Sequence, residues 1–262
     1  MTNHYFDVAS TTNMSEGAIH AYTETSKNFF ANPSSSHKLG KISHNFLEQQ
    51  REKTASLLSI PPQSVIYTSG ATESNSIILQ SLLWTRRKGR IVVSALEHAS
   101  ITQFRVFFEE RGFEWVYVAA PLGIVNLDDM RAKITQNTLL VLTLHTHNIF
   151  GSIQPIEEIR DIIRQKEDEY HSSIHFHVDV AQSIGKVQFS LKNLDIDSAS
   201  MSAHKIGGPR GVGLLYLKKG SHIKALSRGG NQEMGMRGGT ENLSSIAACN
   251  VAMSETIENL DS

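Results

Sequence analysis

The chain has 262 residues, 40% of them apolar and 19% charged, which excludes disordered and fibrous classes and is long enough for one large domain with a substantial core. Lys and Arg number 25 against 26 Asp and Glu, and the only basic cluster is Arg86, Arg87, Lys88 and Arg90, so a dedicated nucleic-acid binder is not expected. Cys249 is the single cysteine, which excludes an intrachain disulfide and a thiolate zinc cluster. No basic-then-apolar leader opens the chain at Met1–Asp7, and the apolar run from Leu139 to Leu144 is far too short for a bilayer, so the expected setting is a reducing cytoplasm.

In chain order, the first helical period runs from His37 to Leu58, followed by a strand at Val65–Thr68 and a helix at Thr72–Arg87. A strand at Arg90–Ser94 precedes a helix at Ser100–Glu110, and a strand at Trp115–Ala119 precedes one at Asp128–Ile134. Strands follow at Leu139–Thr143 and Ile174–Val178, separated by a helix at Ile156–Glu169 whose first turn is entered from Pro155. Strands at Ser198–Ser202 and Val212–Leu217 and a closing helix at Glu241–Leu260 complete the pattern. β-branched apolar runs alternating with helical segments predict an α/β fold, a mainly parallel sheet with helices on both faces. There is no internal repeat, low-complexity tract or linker to mark a second complete domain.

Three constellations carry chemistry. Thr68-Ser69-Gly70-Ala71-Thr72-Glu73 follows a strand and opens a helix, so backbone N–H groups and the Thr72 hydroxyl can converge on an anion; an ordinary helix cap fits the same residues. In His175-Phe176-His177-Val178-Asp179, alternation puts His175, His177 and Asp179 on one strand face. Spread over about 13 Å at roughly 3.3 Å per residue, they are too dispersed for one metal ion without further ligands. His145 and His147 share the same ambiguity, with packing against neighbouring helices as the plainer reading. Lys205, just past a strand end and ringed by Gly207, Gly208 and Gly211, suits a Schiff-base lysine with room for a bulky ligand, or else a surface lysine in a glycine-rich turn.

Taken together, these motifs resemble the class V pyridoxal phosphate (PLP) enzymes, specifically the cysteine desulfurases of the NifS/IscS type. The resemblance runs through Tyr5-Phe6-Asp7, Thr11-Thr12, Asn32 to His37, Thr68 to Glu73 and Glu97-His98-Ala99-Ser100. It continues through Asn148 to Pro155, His177 to Gln182, Ser202 to Gly213 and Arg237 to Asn242. It implies a fold type I large domain over residues 1–262 that holds pyridoxal 5'-phosphate. Lys205 would carry the cofactor and later move protons, and Ala71, Thr72, Ser202 and His204 would hold its phosphate. Asp179 would face the pyridine nitrogen, Gln182 and Asn148 would orient the ring hydroxyl, and His98 would stack on the ring and move protons. Thr240 would reach the phosphate of a partner in a homodimer.

The implied reaction takes sulfur from L-cysteine, leaving alanine and a persulfide for an acceptor or scaffold protein in iron–sulfur cluster or thio-cofactor assembly. Two departures qualify the resemblance. The sulfur-accepting cysteine and the arginine that grips the substrate carboxylate lie, in the family, in a region past the Gly-Thr motif that this sequence does not contain. The expectation is therefore a chain without the C-terminal small domain and without full activity, Cys249 being read as a buried thiol in the last helix. His147-Asn148-Ile149-Phe150 replaces the usual Asn-Asn-Glu-Ile, removing an acidic residue from that loop. A non-catalytic PLP-binding dimer and another class V enzyme, such as an aminotransferase, are the alternative readings.

Overall fold

The computed structural model describes residues 4–225 and 229–260; Met1–Asn3 of the leader reading lie outside them. Seven strands form one sheet: β1 (Val65–Thr68), β2 (Arg90–Ser94), β3 (Glu114–Val118), β4 (Thr138–Leu144), β5 (His175–Asp179), β6 (Ser198–Ser202) and β7 (Gly213–Leu217). Their spatial order is β1-β7-β6-β5-β4-β2-β3. Strands β6, β5, β4, β2 and β3 pair in parallel, and β7 is antiparallel to both β6 and β1. The sheet is therefore mainly parallel, with β7 reversed.

Period-2 alternation divides the apolar residues between two cores, which is why the strands read as nearly continuous apolar runs. Val92, Val141, Phe176 and Val178 pack on one side with α2 (Lys38–Leu58), α6 (Leu127–Lys133), α7 (Ile156–Tyr170) and α9 (Leu243–Leu260). Ile91, Val93, Leu140 and Leu142 pack on the other with α3 (Ala71–Ser81) and α5 (Arg105–Glu109). In α7 the buried residues are Ile156, Ile159, Ile162 and Ile163, a helical stripe entered directly after Pro155 as its sequence predicts.

The elements that differ from the sequence expectation do so for local reasons. α3 stops at Ser81 and passes through one 3-10 turn, Leu82–Trp84; the Thr85 hydroxyl then donates to the carbonyls of Leu82 and Arg87, closing the end. The Ser100–Glu110 helix is two pieces, α4 (Ala99–Thr102) and α5, separated by a tight turn in which Phe104 N–H donates to Ile101 O. α9 begins at Leu243 because the Asn242 side chain accepts from Ser245 N–H at 3.1 Å and caps it. The helix α1 (Glu16–Asn28) was not expected, its sequence being mostly polar. Ser15 caps it, and Ala18 meets Ala248 and Ala252 of α9 in a contact of small side chains. The short α8 (Leu191–Leu194) was likewise unexpected.

One buried ion pair ties the glycine-rich segment after residue 229 to the sheet. The Arg51 guanidinium donates to both oxygens of Glu233 at 2.8 and 2.9 Å and to the carbonyl of Val65, while Tyr67 N–H donates to Glu233. Burial disfavours the Arg51 charge, but the hydrogen bonds and charge of Glu233 outweigh it and push its pKa upward. Glu233 and Met234 both sit at positive φ, 47° and 57°, a conformation these side chains adopt only when surroundings enforce it. Arg51→Met leaves the Glu233 carboxylate buried and unpaired. The expected loss is about 3–5 kcal/mol of unfolding free energy in urea titrations; a loss under about 1 kcal/mol would show that the carboxylate finds another partner.

Candidate active site

Loops leaving the carboxyl ends of β1, β2, β4, β5 and β6 converge at one edge of the sheet, the place where open α/β sheets bind ligands. They enclose an open cleft of about 290 Å³. Because β7 is reversed, its first residue, Gly213, lies at this same edge between β1 and β6. A Cβ on Gly213 would stand 2.3 Å from Met201 O and 2.5 Å from Gly70 Cα, so glycine there lets the β1–α3 loop cross to β6. Across that contact Ala71 N–H, in the first turn of α3, donates to Ser202 Oγ at 2.8 Å. Glu73 braces the loop: burial raises its pKa, but Ser69 N–H and Arg237 overcome this and hold it below the carboxylate range.

Nine of the ten sequence-derived site residues line the cleft: Ala71, Thr72, His98, Asn148, Asp179, Gln182, Ser202, His204 and Lys205. Thr240 does not. It is exposed on the segment between the Arg51–Glu233 pair and α9. Lys205 Nζ donates to the carbonyls of Ala9 and Ser10, both at 2.7 Å, and Gln182 Nε2 donates to the same Ala9 carbonyl at 2.8 Å. Desolvation lowers the Lys205 pKa, partly offset by Asp179 and Asp7. The His204 pKa is lowered by burial and by the nearby cations Lys205, Arg210 and Lys186.

Asp179 is buried at the end of β5. One carboxylate oxygen accepts from Ala181 N–H and the other from Asn75 Nδ2, each at 2.9 Å. Since Asp179 is in register with Ser200, Ser202 lies two residues further along the neighbouring strand, about 8 Å away by ordinary strand geometry. The cleft therefore has a phosphate-suited corner at the α3 N-terminus, a carboxylate some way across, and an amine on its wall. That donor set fits PLP: phosphate acceptors, pyridinium and carbonyl carbon each find a partner of the right chemistry.

His175, His177 and His147 act as hydrogen-bonding groups, whereas His145 Nδ1 is buried without a partner. His175 and His177 bond to Ser198 and Asn75, and burial pushes their pKa values down to about 4 and about 3. His145 is buried against the edge of Phe189, with its pKa lowered to about 4 by desolvation. His147 stacks on Phe150 and accepts from the N–H groups of Ile149 and Phe150, which turns the loop that carries Asn148. Cys249 is 1% exposed in the core behind the cleft, and burial pushes its thiol up to about 12.

Sequence reading gave no role to Asn75 or Glu97. Asn75 lies one helical turn after Ala71, on the side of α3 facing the sheet, a position that a polar residue in an otherwise buried helix stripe could have signalled. Glu97 is buried with Oε1 on Leu144 N–H and Oε2 unpartnered; desolvation, then the charge of Asp179, raises its pKa well above the ordinary range. The folded state thus retains a proton that the unfolded chain gives up. This proton-linked stability is complete below the unfolded value near 4.5 and declines as pH rises toward the folded value. Glu97→Gln is expected to match the wild type in urea melts near pH 4 and to become progressively the more stable protein by pH 8. A difference that does not change with pH would mean that Glu97 is charged in the fold.

Residues 4–261 match the family model described as Aminotransferase class-V. A NifS/IcsS protein homolog of Lactobacillus delbrueckii is 39% identical over 248 residues, covering 93% of this chain and 63% of that protein. A protein named cysteine desulfurase IscS in Dictyoglomus turgidum is 35% identical, covering 98% and 64%. The chain thus spans slightly under two thirds of these relatives. Among solved structures, a NifS-like protein superposes with a TM-score of 0.93 at 35% identity, covering 98% of this chain and 70% of that one. A structure described as SspA in complex with cysteine gives 0.89 at 33% identity, covering 96% and 72%. With its sequence matched to the family model and its fold superposed on these proteins, the chain belongs to the aminotransferase class-V family and is similar within it to the NifS/IscS-type members.

Proposed function

We propose that residues 1–262 form the PLP-holding large domain of a cysteine desulfurase, which takes sulfur from L-cysteine and leaves alanine and a persulfide. The observation that carries this reading is the convergence on one cleft of Lys205, the Ala71–Ser202 corner and the buried Asp179 carboxylate. Bound there, PLP supplies an electron sink for cleavage of bonds at the substrate's α-carbon.

Each wall residue has a task that its chemistry permits. The N–H groups at the start of α3, with Thr72, Ser202 and His204, bind the phosphate. Asp179 holds a proton on the ring nitrogen through a charge-assisted hydrogen bond that an amide cannot supply. Lys205, relieved of part of its proton affinity by burial, is the amine that holds the cofactor and passes protons near the α-carbon. His98 covers the ring, and Gln182 and Asn148 meet the ring hydroxyl. L-cysteine as substrate is supported by the names of the similar proteins, one of which is described with cysteine bound.

Sulfur acceptance needs a thiolate that can approach the substrate. Cys249 is enclosed in the core with its thiol pushed up to about 12, so the acceptor thiol is one that these residues do not supply. The exposure of Thr240 outside its own cleft supports a homodimer in which each chain completes its partner's phosphate pocket.

Borohydride reduction of chain incubated with PLP is expected to fix the cofactor on Lys205, identified by peptide mass, and Lys205→Ala to abolish the adduct. An adduct on another lysine, or none, would overturn the reading. Asp179→Asn is expected to keep the fold by circular dichroism while weakening PLP binding by about tenfold or more. Unchanged affinity and an unchanged cofactor absorption spectrum would reduce Asp179 to a structural strand residue.

A further inference from the structure

Behind the cleft lies a continuous line of buried polar side chains that the proposed chemistry does not itself require. Asn75 is fully buried on α3 and its side chain makes three hydrogen bonds. Its Nδ2 faces Asp179 Oδ2 and Ser100 Oγ, both at 2.9 Å, and its Oδ1 faces His177 Nε2 at 2.8 Å. His177 Nδ1 is 2.7 Å from Ser198 Oγ, which is in turn 2.7 Å from His175 Nε2.

Donor counting gives this line a single sense. A carboxylate only accepts, so the Asn75 amide presents Nδ2 to Asp179, and Oδ1 is left facing His177. That oxygen can only accept, so His177 carries its proton on Nε2. Burial keeps the imidazole neutral, which makes Nδ1 an acceptor, and the Ser198 hydroxyl donates its one proton to it. Ser198 then has only lone pairs for its second neighbour, so His175 also carries its proton on Nε2. On the other branch, Ser100 Oγ accepts from Asn75. The backbone N–H of Ser100 donates to His98 Nδ1 at 3.1 Å, and the Ser100 hydroxyl, 3.0 Å from the same nitrogen, adds its proton. His98 therefore keeps Nδ1 as an acceptor.

We infer that Asn75 is a positioning residue whose amide fixes Asp179 as a pure acceptor toward the cleft and ties its orientation to the Nε2–H forms of His177 and His175 and to an unprotonated Nδ1 on His98. The inference rests on the PLP reading for its purpose but not for its geometry. The carboxylate cannot rotate to offer a different lone pair without breaking its bond from Ala181 N–H on one oxygen or from the Asn75 amide on the other, which is the preorganisation that a ring-nitrogen acceptor requires.

The test uses the whole chain with its histidines labelled in 15N, without added PLP. Long-range 15N–1H correlation, assigned with single His→Gln variants, is expected to show Nε2–H forms for His175 and His177, and no proton on Nδ1 of His98, at pH 7. A proton on Nδ1 of any of the three overturns the inference. Asn75→Asp, which keeps the shape but removes both donated hydrogens, is expected to lose about tenfold or more in PLP affinity with an unaltered far-ultraviolet spectrum. Ser198→Ala, a milder change at the far end, is expected to leave His177 in its Nε2–H form, which Asn75 Oδ1 sets, while letting the His175 signal adopt mixed tautomers; mixed tautomers at His177 would show that Asn75 does not set the sense and would overturn the inference. A wild-type chain with the expected tautomers that takes up no PLP would overturn the cofactor reading and leave the relay standing, whereas PLP uptake with reversed tautomers would do the opposite.

Discussion

The close approach of two glycines is the constraint on which the site depends. A Cβ on Gly213 would run into the backbone of Gly70 and Met201, and one on Gly70, at φ 152°, would press on Ser202 Oγ at 3.3 Å; that proximity lets the loop after an edge strand reach the end of β6. β7 is inserted between β1 and β6 and runs against both, so its start, rather than its end, occupies the site edge. A parallel strand in that place would put its own carboxyl-end loop in the gap. The anion-suited corner and the lysine turn can thus be neighbours although more than 130 residues separate Ala71 from Ser202.

Fold class and strand positions were legible because both faces of the sheet are buried, and a β-branched apolar run needs no tertiary knowledge to be recognised. Strands β1 and β6 coincide with their expected limits. What escaped was decided by contacts remote in sequence. The polar α1 is helical because Ala18 finds Ala248 and Ala252 and because Ser15 caps its start, and no apolar stripe announces either. The break within residues 99–110 and the early end of α3 are set by turn hydrogen bonds that periodicity does not encode. For the site, the family resemblance found the residues whose side chains face the cleft. It assigned nothing to Asn75 or Glu97, whose importance lies in what stands behind Asp179 and which look like ordinary helix and loop polar residues until the register of β5 against α3 is seen.

Placing polar residues inside a sheet core has an energetic logic of its own. His177, Ser198 and Ser200 are buried with no exposure, and an unsatisfied group in such a place costs about 1–3 kcal/mol. His177 and Ser198 escape that cost by bonding to one another, His177 also to Asn75 and Ser198 also to His175. Ser200 Oγ and Glu97 Oε2 remain without partners close to Asp179. The satisfied members define a rigid wall, and the unsatisfied ones mark where the interior is least content with itself, next to the carboxylate that the site uses.

The lacing between the N-terminal segment and the lysine turn carries a consequence for how the chain folds. Thr12 N–H donates to His204 O, Gly207 N–H donates to Thr12 Oγ1, Ser15 N–H donates to Gly207 O, and Lys205 itself bonds to Ala9 and Ser10, across a separation of 195 residues in the last case. Contacts that close loops of this length bear the largest chain-entropy cost and add to the contact order that slows folding. An intermediate with its sheet formed but its ends unjoined would display Lys205 as a common, solvated amine. The special surroundings of that amine are thus a property of the finished topology, supplied by joining the two ends of the chain rather than by the local motif around it.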